Sequence, residues 1–271
     1  MPDPLSLITL GAAVGGAAGK FVEKAWDSGE KWITSYFADH RPKAIAQAQA
    51  NSADFLNELA TRVKSLEDSG SVTKEQIEAA QEHPDFSVAL QKAMLTAAQT
   101  EDRQKHQLLA RTLADRLGAK PEGMLAMTSK MALDAIGYMT PAQLKLLGLV
   151  ADLLYVNPTP PLAPQAYQQW FEGRFAPYAA VSFTNLDLLH LESLSCLKHT
   201  PIISRDLAAI ISQKNSGAYE PAMLESPLGA HIKTLWQQGL QAVDLSSVGQ
   251  LVGVYVSDLL TNGNTSFTGW D

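Results

Sequence analysis

A single cysteine, Cys196, stands in 271 residues, so no internal disulfide can form. The chain must be held by packing alone, and it suits a reducing cytoplasm. An excess of cations is also lacking. Lys and Arg number 21 against 28 Asp and Glu, which gives a net charge of −7. Affinity for phosphate backbones comes from a basic face, so nucleic acid is excluded as a general partner. Between 226 and 260 only Lys233 is a Lys or Arg. There is no G-x-S-x-G, no H-E-x-x-H and no paired C-x-x-C, the short signatures of many hydrolases, zinc peptidases and zinc ribbons. Beyond the N-terminal region no apolar run reaches the roughly 20 residues of a spanning helix. The opening Met-Pro-Asp-Pro has no basic stretch, which predicts that no secretory signal is present.

What the sequence does have begins at Leu5. From there to Gly19 it carries no charge and has glycines at 11, 15, 16 and 19. On one helix Gly11, Gly15 and Gly19 fall along a stripe that Gly16 widens. A stripe without side chains lets a second helix approach closely. In water it is costly, since an interior Gly loses roughly 1 kcal/mol against Ala. The four glycines are therefore expected to form a helix-packing or membrane face. As a helix the run would measure about 22 Å, short of the ~30 Å hydrocarbon core. A packed helix in a bundle or oligomer is thus the first expectation and a membrane contact the second. A phosphate loop fails at two slots, because Val14 stands where the first glycine is needed and Phe21 where the hydroxyl is needed.

Apolar residues make up 46% of the chain, enough for a sizeable core. Helical periodicity dominates. The first helix continues to Phe37, and Arg41-Pro42 opens a second that runs to about Leu66. Ser69-Gly70-Ser71 reads as a turn, and Thr73 with Gln76 as a capping box. A long helix is predicted over 85–117, another from Pro121 to Tyr138, and a third over 141–156 behind Thr140-Pro141. The last is apolar on most sides and should be central to the N-terminal bundle. Asn157 to Pro164, with four prolines in eight residues, reads as a linker. Shorter helices are expected near 164–174, 185–197, 204–213, 226–239 and 245–260, with short strands at Ala179–Phe183 and Leu240–Val243. The sequence thus predicts a mainly α protein. Its parts are a glycine-rich helix (1–38), a helical bundle (42–156), a smaller winged-helix-like C-terminal domain (165–260) and a loose tail (261–271).

Three stretches carry a family resemblance: Thr100 to Leu117 (TEDRQKHQLLARTLADRL), Met139 to Leu147 (MTPAQLKLL) and Leu235 to Gly253 (LWQQGLQAVDLSSVGQLVG). An acidic cap, a Leu-Leu-Ala step and a Thr-Pro-initiated helix resemble bacterial Abi-alpha-type helical proteins. That resemblance implies a role in phage defence and abortive infection without a defined enzyme activity. It supplies no catalytic residues.

Two constellations could carry chemistry. Asp187, His190, Cys196 and His199 offer four metal-type ligands within thirteen residues, as two i,i+3 pairs. The surrounding leucines, Leu186, Leu188, Leu189, Leu191, Leu194 and Leu197, equally describe a core helix. Asp102 and His106 lie one helical turn apart beside Glu101 and Lys105, the pattern of a solvated face. The leading expectation is a non-enzymatic component of anti-phage defence without a cofactor. It would act through a protein partner or self-association, or by membrane disturbance, as a cytoplasmic protein with a peripheral contact to the inner membrane. A protein-binding regulatory adaptor with a winged-helix-like module is the first alternative. The second is a metal-dependent enzyme built on Asp187, His190, Cys196 and His199.

Overall fold

A computed structural model describes residues 15–267 and Trp270. Among them the protein is mainly helical, with one two-stranded ribbon. The chain divides into two compact units, Met1–Gly137 with Phe267–Asp271, and Tyr138–Ser266.

In the first unit the helices are α1 (Gly16–Tyr36), α2 (Pro42–Asp68), α3 (Lys74–Glu82), α4 (Pro84–Ala98), α5 (Arg103–Asp115) and α6 (Met124–Tyr138). The long α2 is the hub and packs on α1, α4 and α5. Its Phe55, Leu56, Leu59, Ala60 and Val63 are all fully buried, the i, i+3/i+4 stripe that a core-facing helix needs. Thr73 and Gln76 close the expected capping box on α3.

The predicted helix over 85–117 is two helices. Asp102 caps α5 by accepting from the Gln104 N–H at 2.9 Å, and Thr100 accepts from the Asp102 N–H at 3.1 Å. These side chains compete with the helical ladder and stop it. The buried His106 ring then spans the break, with Nε2 2.9 Å from the Thr100 carbonyl and 3.2 Å from that of Ala97.

The second unit contains α7 (Pro141–Leu154), α8 (Pro164–Phe175), α9 (Asn185–Ser193), β1 (Leu197–His199), α10 (Leu207–Lys214), α11 (Pro227–Gln237), β2 (Val243–Leu245) and α12 (Ser247–Thr261). The strands pair antiparallel, Leu197 with Leu245 and His199 with Val243. No strand forms over Ala179–Phe183, and the one expected at Leu240–Val243 is shifted, with β2 starting at Val243 behind a 3-10 turn over Leu240–Ala242. From α9 to β2 the order is helix, strand, helix, helix, strand, and a helix follows instead of a third strand.

Here the expected boundary moves. The sequence places the 141–156 helix at the centre of the N-terminal bundle, but α7 belongs to the second unit and packs most extensively on α12. Both helices are buried nearly all round. They meet closely because Gly253 has no side chain where the Leu147 carbonyl and Ala151 lie. The proline-rich 157–164 segment is accordingly internal to this unit. The Asn215 side chain accepts from the Leu162 N–H at 2.7 Å and donates to its carbonyl at 2.7 Å, while Lys214 donates to Asn157 at 3.1 Å. Thr265, beyond α12, is also tied down, since Asp258 accepts from its N–H at 2.6 Å and its hydroxyl at 3.0 Å.

Candidate functional site

The four metal-type residues do not converge. Asp187 Oδ2 accepts from the Thr184 N–H and hydroxyl, both at 2.8 Å, and so caps α9. Its Oδ1 accepts from Gln143 at 3.1 Å, and Gln143 Oε1 lies 3.1 Å from His190 Nδ1. The Thr184 N–H, before the other donors, holds the Asp187 carboxyl below the usual carboxylate range. Cys196 is fully buried, and burial pushes its thiol up to about 12. A thiol so shifted is a poor source of thiolate for a metal or an electrophile. His199 sits on β1 across from Val243. Among the described residues no group of three or more His, Cys, Asp or Glu side chains could hold a metal ion. Asp187, His190, Cys196 and His199 therefore do not form one metal-binding cluster. Residues with ligand spacing were recruited to a helix cap, a hydrogen-bond chain, a core position and a strand.

The glycine run is divided. Gly11 lies outside the described residues. Gly15 and Gly16 have φ of 64° and 66°, and α1 starts only at Gly16. Gly15 is therefore the N-cap of α1 and lies outside the helical stripe of Gly19. Gly19 is buried and Gly16 exposed. No described helix is long and apolar enough to cross a membrane.

Two arrangements escaped the sequence reading. One is a buried polar cluster in the second unit. Asp152, wholly inaccessible, accepts from Arg174 Nε at 2.8 Å, Tyr178 at 2.8 Å and Ser257 at 2.7 Å, and Arg174 Nη2 also reaches Ser257 at 2.6 Å. Burial pushes the Asp152 carboxyl upward against the pull of Arg174, Ser257 and Tyr178. Each oxygen is occupied by donors, and Ser257 is fully buried. A serine without access to substrate is no nucleophile, so the cluster ties α7, α8 and α12 together. The lone acid in the apolar run LGLVADLL was its only signal in the sequence.

The other arrangement is an exposed methionine face on α6. Met124, Met127 and Met131 are 58, 37 and 50% exposed at i, i+3 and i+7. The opposite face, with Leu125, Ala132, Leu133 and Ile136, is buried. The Asp134–Lys92 pair, at 2.7 Å, ties α6 to α4, whose Val88 is also exposed. In the second unit Leu188 and Leu191 of α9 are buried, but Leu186 and Leu189 are exposed, so the leucine-rich segment is only half a core helix.

No curated protein and no solved structure matches the chain. A family model matches residues 19–226, more than half of the sequence. The chain belongs to the family that this model defines.

Proposed function

We propose that the protein is a non-enzymatic component of bacterial anti-phage defence that works by binding another protein. The observation that carries this reading is the methionine face of α6. Solvent-facing methionines at i, i+3 and i+7 leave an apolar stripe unpaid by burial. Flexible thioethers adapt to partner surfaces, and such stripes mark protein contacts. The defence context comes from the resemblance of Thr100–Leu117, Met139–Leu147 and Leu235–Gly253 to Abi-alpha-type proteins. The second unit's order of helix, strand, helix, helix and strand keeps a winged-helix-like adaptor as the second reading, with protein and not DNA as its partner.

The test is efficiency of plating for a phage panel on a host expressing the full chain, set against the Met127→Lys/Met131→Lys variant. Protection by the wild type that the variant lacks, at equal soluble expression, is expected. Surface substitutions of this kind shift stability by only about 0.5 kcal/mol. Equal protection by both proteins would remove the α6 face from the function, and no protection by the wild type against any phage would remove the defence role.

A further inference from the structure

A cavity of about 350 Å³ opens in the first unit between α3, the start of α4 and the turn after α5. This volume lies in the roughly 300–1,000 Å³ range of small-molecule pockets. Its apolar wall includes Ala79, Ala80, Phe86, Leu117 and Ala126. Asp85, Arg116 and Lys120 supply the charge of the lining. Arg116 has a side chain only 5% exposed, donates to the Ala126 carbonyl at 3.1 Å and pairs with Asp85. Lys130 donates to the other Asp85 oxygen at 2.7 Å. One carboxylate is thus shared between two cations, Arg116 in the lining and Lys130 outside it, and Lys120 adds a second positive charge to the lining. The Lys130 hydrogen bond, with the charges of Arg116 and Lys130, holds the Asp85 carboxyl below its usual range, so Asp85 is ionised and the surplus remains positive. Arg116 is already matched by Asp85, so the unmatched charge of the lining is that of the exposed Lys120, beside the apolar wall.

We propose that this cavity binds a small amphipathic anion, an apolar body of medium-chain fatty-acid size bearing one carboxylate. The chain or ring would lie on the alanine and Phe86 wall, and the carboxylate would pair with Lys120, next to the Asp85-bound Arg116. Neither feature suffices alone. An uncharged ligand makes no ion pair with Lys120, and an inorganic anion leaves the wall wet.

The full chain is titrated calorimetrically with octanoate and, separately, with 1-octanol. Saturable binding of one octanoate is expected, with octanol weaker by about tenfold or more, the worth of one charge-assisted contact. Lys120→Glu, at an exposed position, should weaken octanoate and leave octanol unchanged. Ala80→Phe fills the cavity and should abolish octanoate binding while the helical circular dichroism is retained. Absence of saturable octanoate binding overturns the proposal, as does equal affinity for octanol and octanoate. Octanoate binding that survives both substitutions would place the ligand elsewhere and overturn it too. If Ala80→Phe fails to fold, Lys120→Glu still decides.

Discussion

Glu67, near the C-terminal end of α2, accepts the backbone N–H groups of Ala17 and Ala18 at 3.1 and 3.3 Å, and so caps a helix some fifty residues upstream. Gly15, at the N-cap of α1, has no side chain to do this. A carboxylate at a helix N-terminus satisfies orphan N–H groups and meets the positive end of the dipole. Glu67→Ala should therefore destabilise the first unit by about 1 kcal/mol, with Glu67→Gln retaining part of the effect. Urea unfolding measures this, and an unchanged midpoint for Glu67→Ala would exclude the cap.

The close crossing of α7 and α12 gives a paired expectation for glycine. A Cβ on Gly253 would lie 2.6 Å from the Leu147 carbonyl and 2.8 Å from Ala151 Cβ. The helices would have to separate, so Gly253→Val should cost about 1–3 kcal/mol or more by overpacking. Gly173, in α8, is exposed and has nothing within 4 Å of an added Cβ. Gly173→Ala should gain up to about 1 kcal/mol from helix propensity. Opposite shifts in melting temperature are expected, and shifts of the same sign would contradict the crossing.

Most helices were legible because their signals are local. Thr140-Pro141 opens α7 with the expected capping box, Gln143 N–H to Thr140 Oγ1 at 3.2 Å. Pro42 and Pro84 open α2 and α4 at their first turns. Partnership was not legible. A helix apolar on most sides, as α7 is, declares that it is buried but not by what, and only the Gly253 contact to Leu147 identifies α12. The prolines of 157–164 signal irregular backbone, which reads equally as a linker or as a strap, and the Asn215 clamp decides it. The break at Thr100–Asp102 was hidden because apolar periodicity runs on through it, while the stop comes from side chains that bond the backbone. Asp187 and His190 share a helix face as the spacing requires, but the third and fourth ligands depend on where the bend after α9 puts Cys196 and β1 puts His199. The α6 methionines look like core in the sequence, because an apolar stripe does not say whether a partner covers it.

Asp152 is the best-buried acid of the second unit, and removing it strands Arg174, whose side chain is 14% exposed. Breaking a buried pair from one side leaves an uncompensated charge, at a cost of about 3–5 kcal/mol. Asp152→Ala should therefore unfold the second unit at a clearly lower denaturant concentration. Ser257→Ala removes one donor among several and should cost about 1 kcal/mol. Equal losses for the two variants would show that the Arg174 charge is not what Asp152 balances.

Lys214 gives the second unit a pH dependence of definite sign. Its side chain is almost wholly buried, and burial draws its pKa from 10.5 to about 8, with Asp152 raising it and Arg174 lowering it in smaller measure. Between these values the folded state binds fewer protons than the unfolded state. The stabilisation is thus present above the unfolded value and is lost as pH falls through about 8. Cys196 works in the other direction. Its thiol is pushed up from 9.0 to about 12, so it loses stability as pH rises above 9. The two effects separate on comparing the wild type with Lys214→Met, because Cys196 is common to both. From pH 8 to about 9.5 the unfolding free energy of the wild type should rise relative to the variant by about 1.5 kcal/mol. The lost hydrogen bond to Asn157 adds only a constant offset. Parallel pH profiles for the two proteins would mean that Lys214 titrates as an ordinary surface lysine, and the strap at Asn157 would then be open to water.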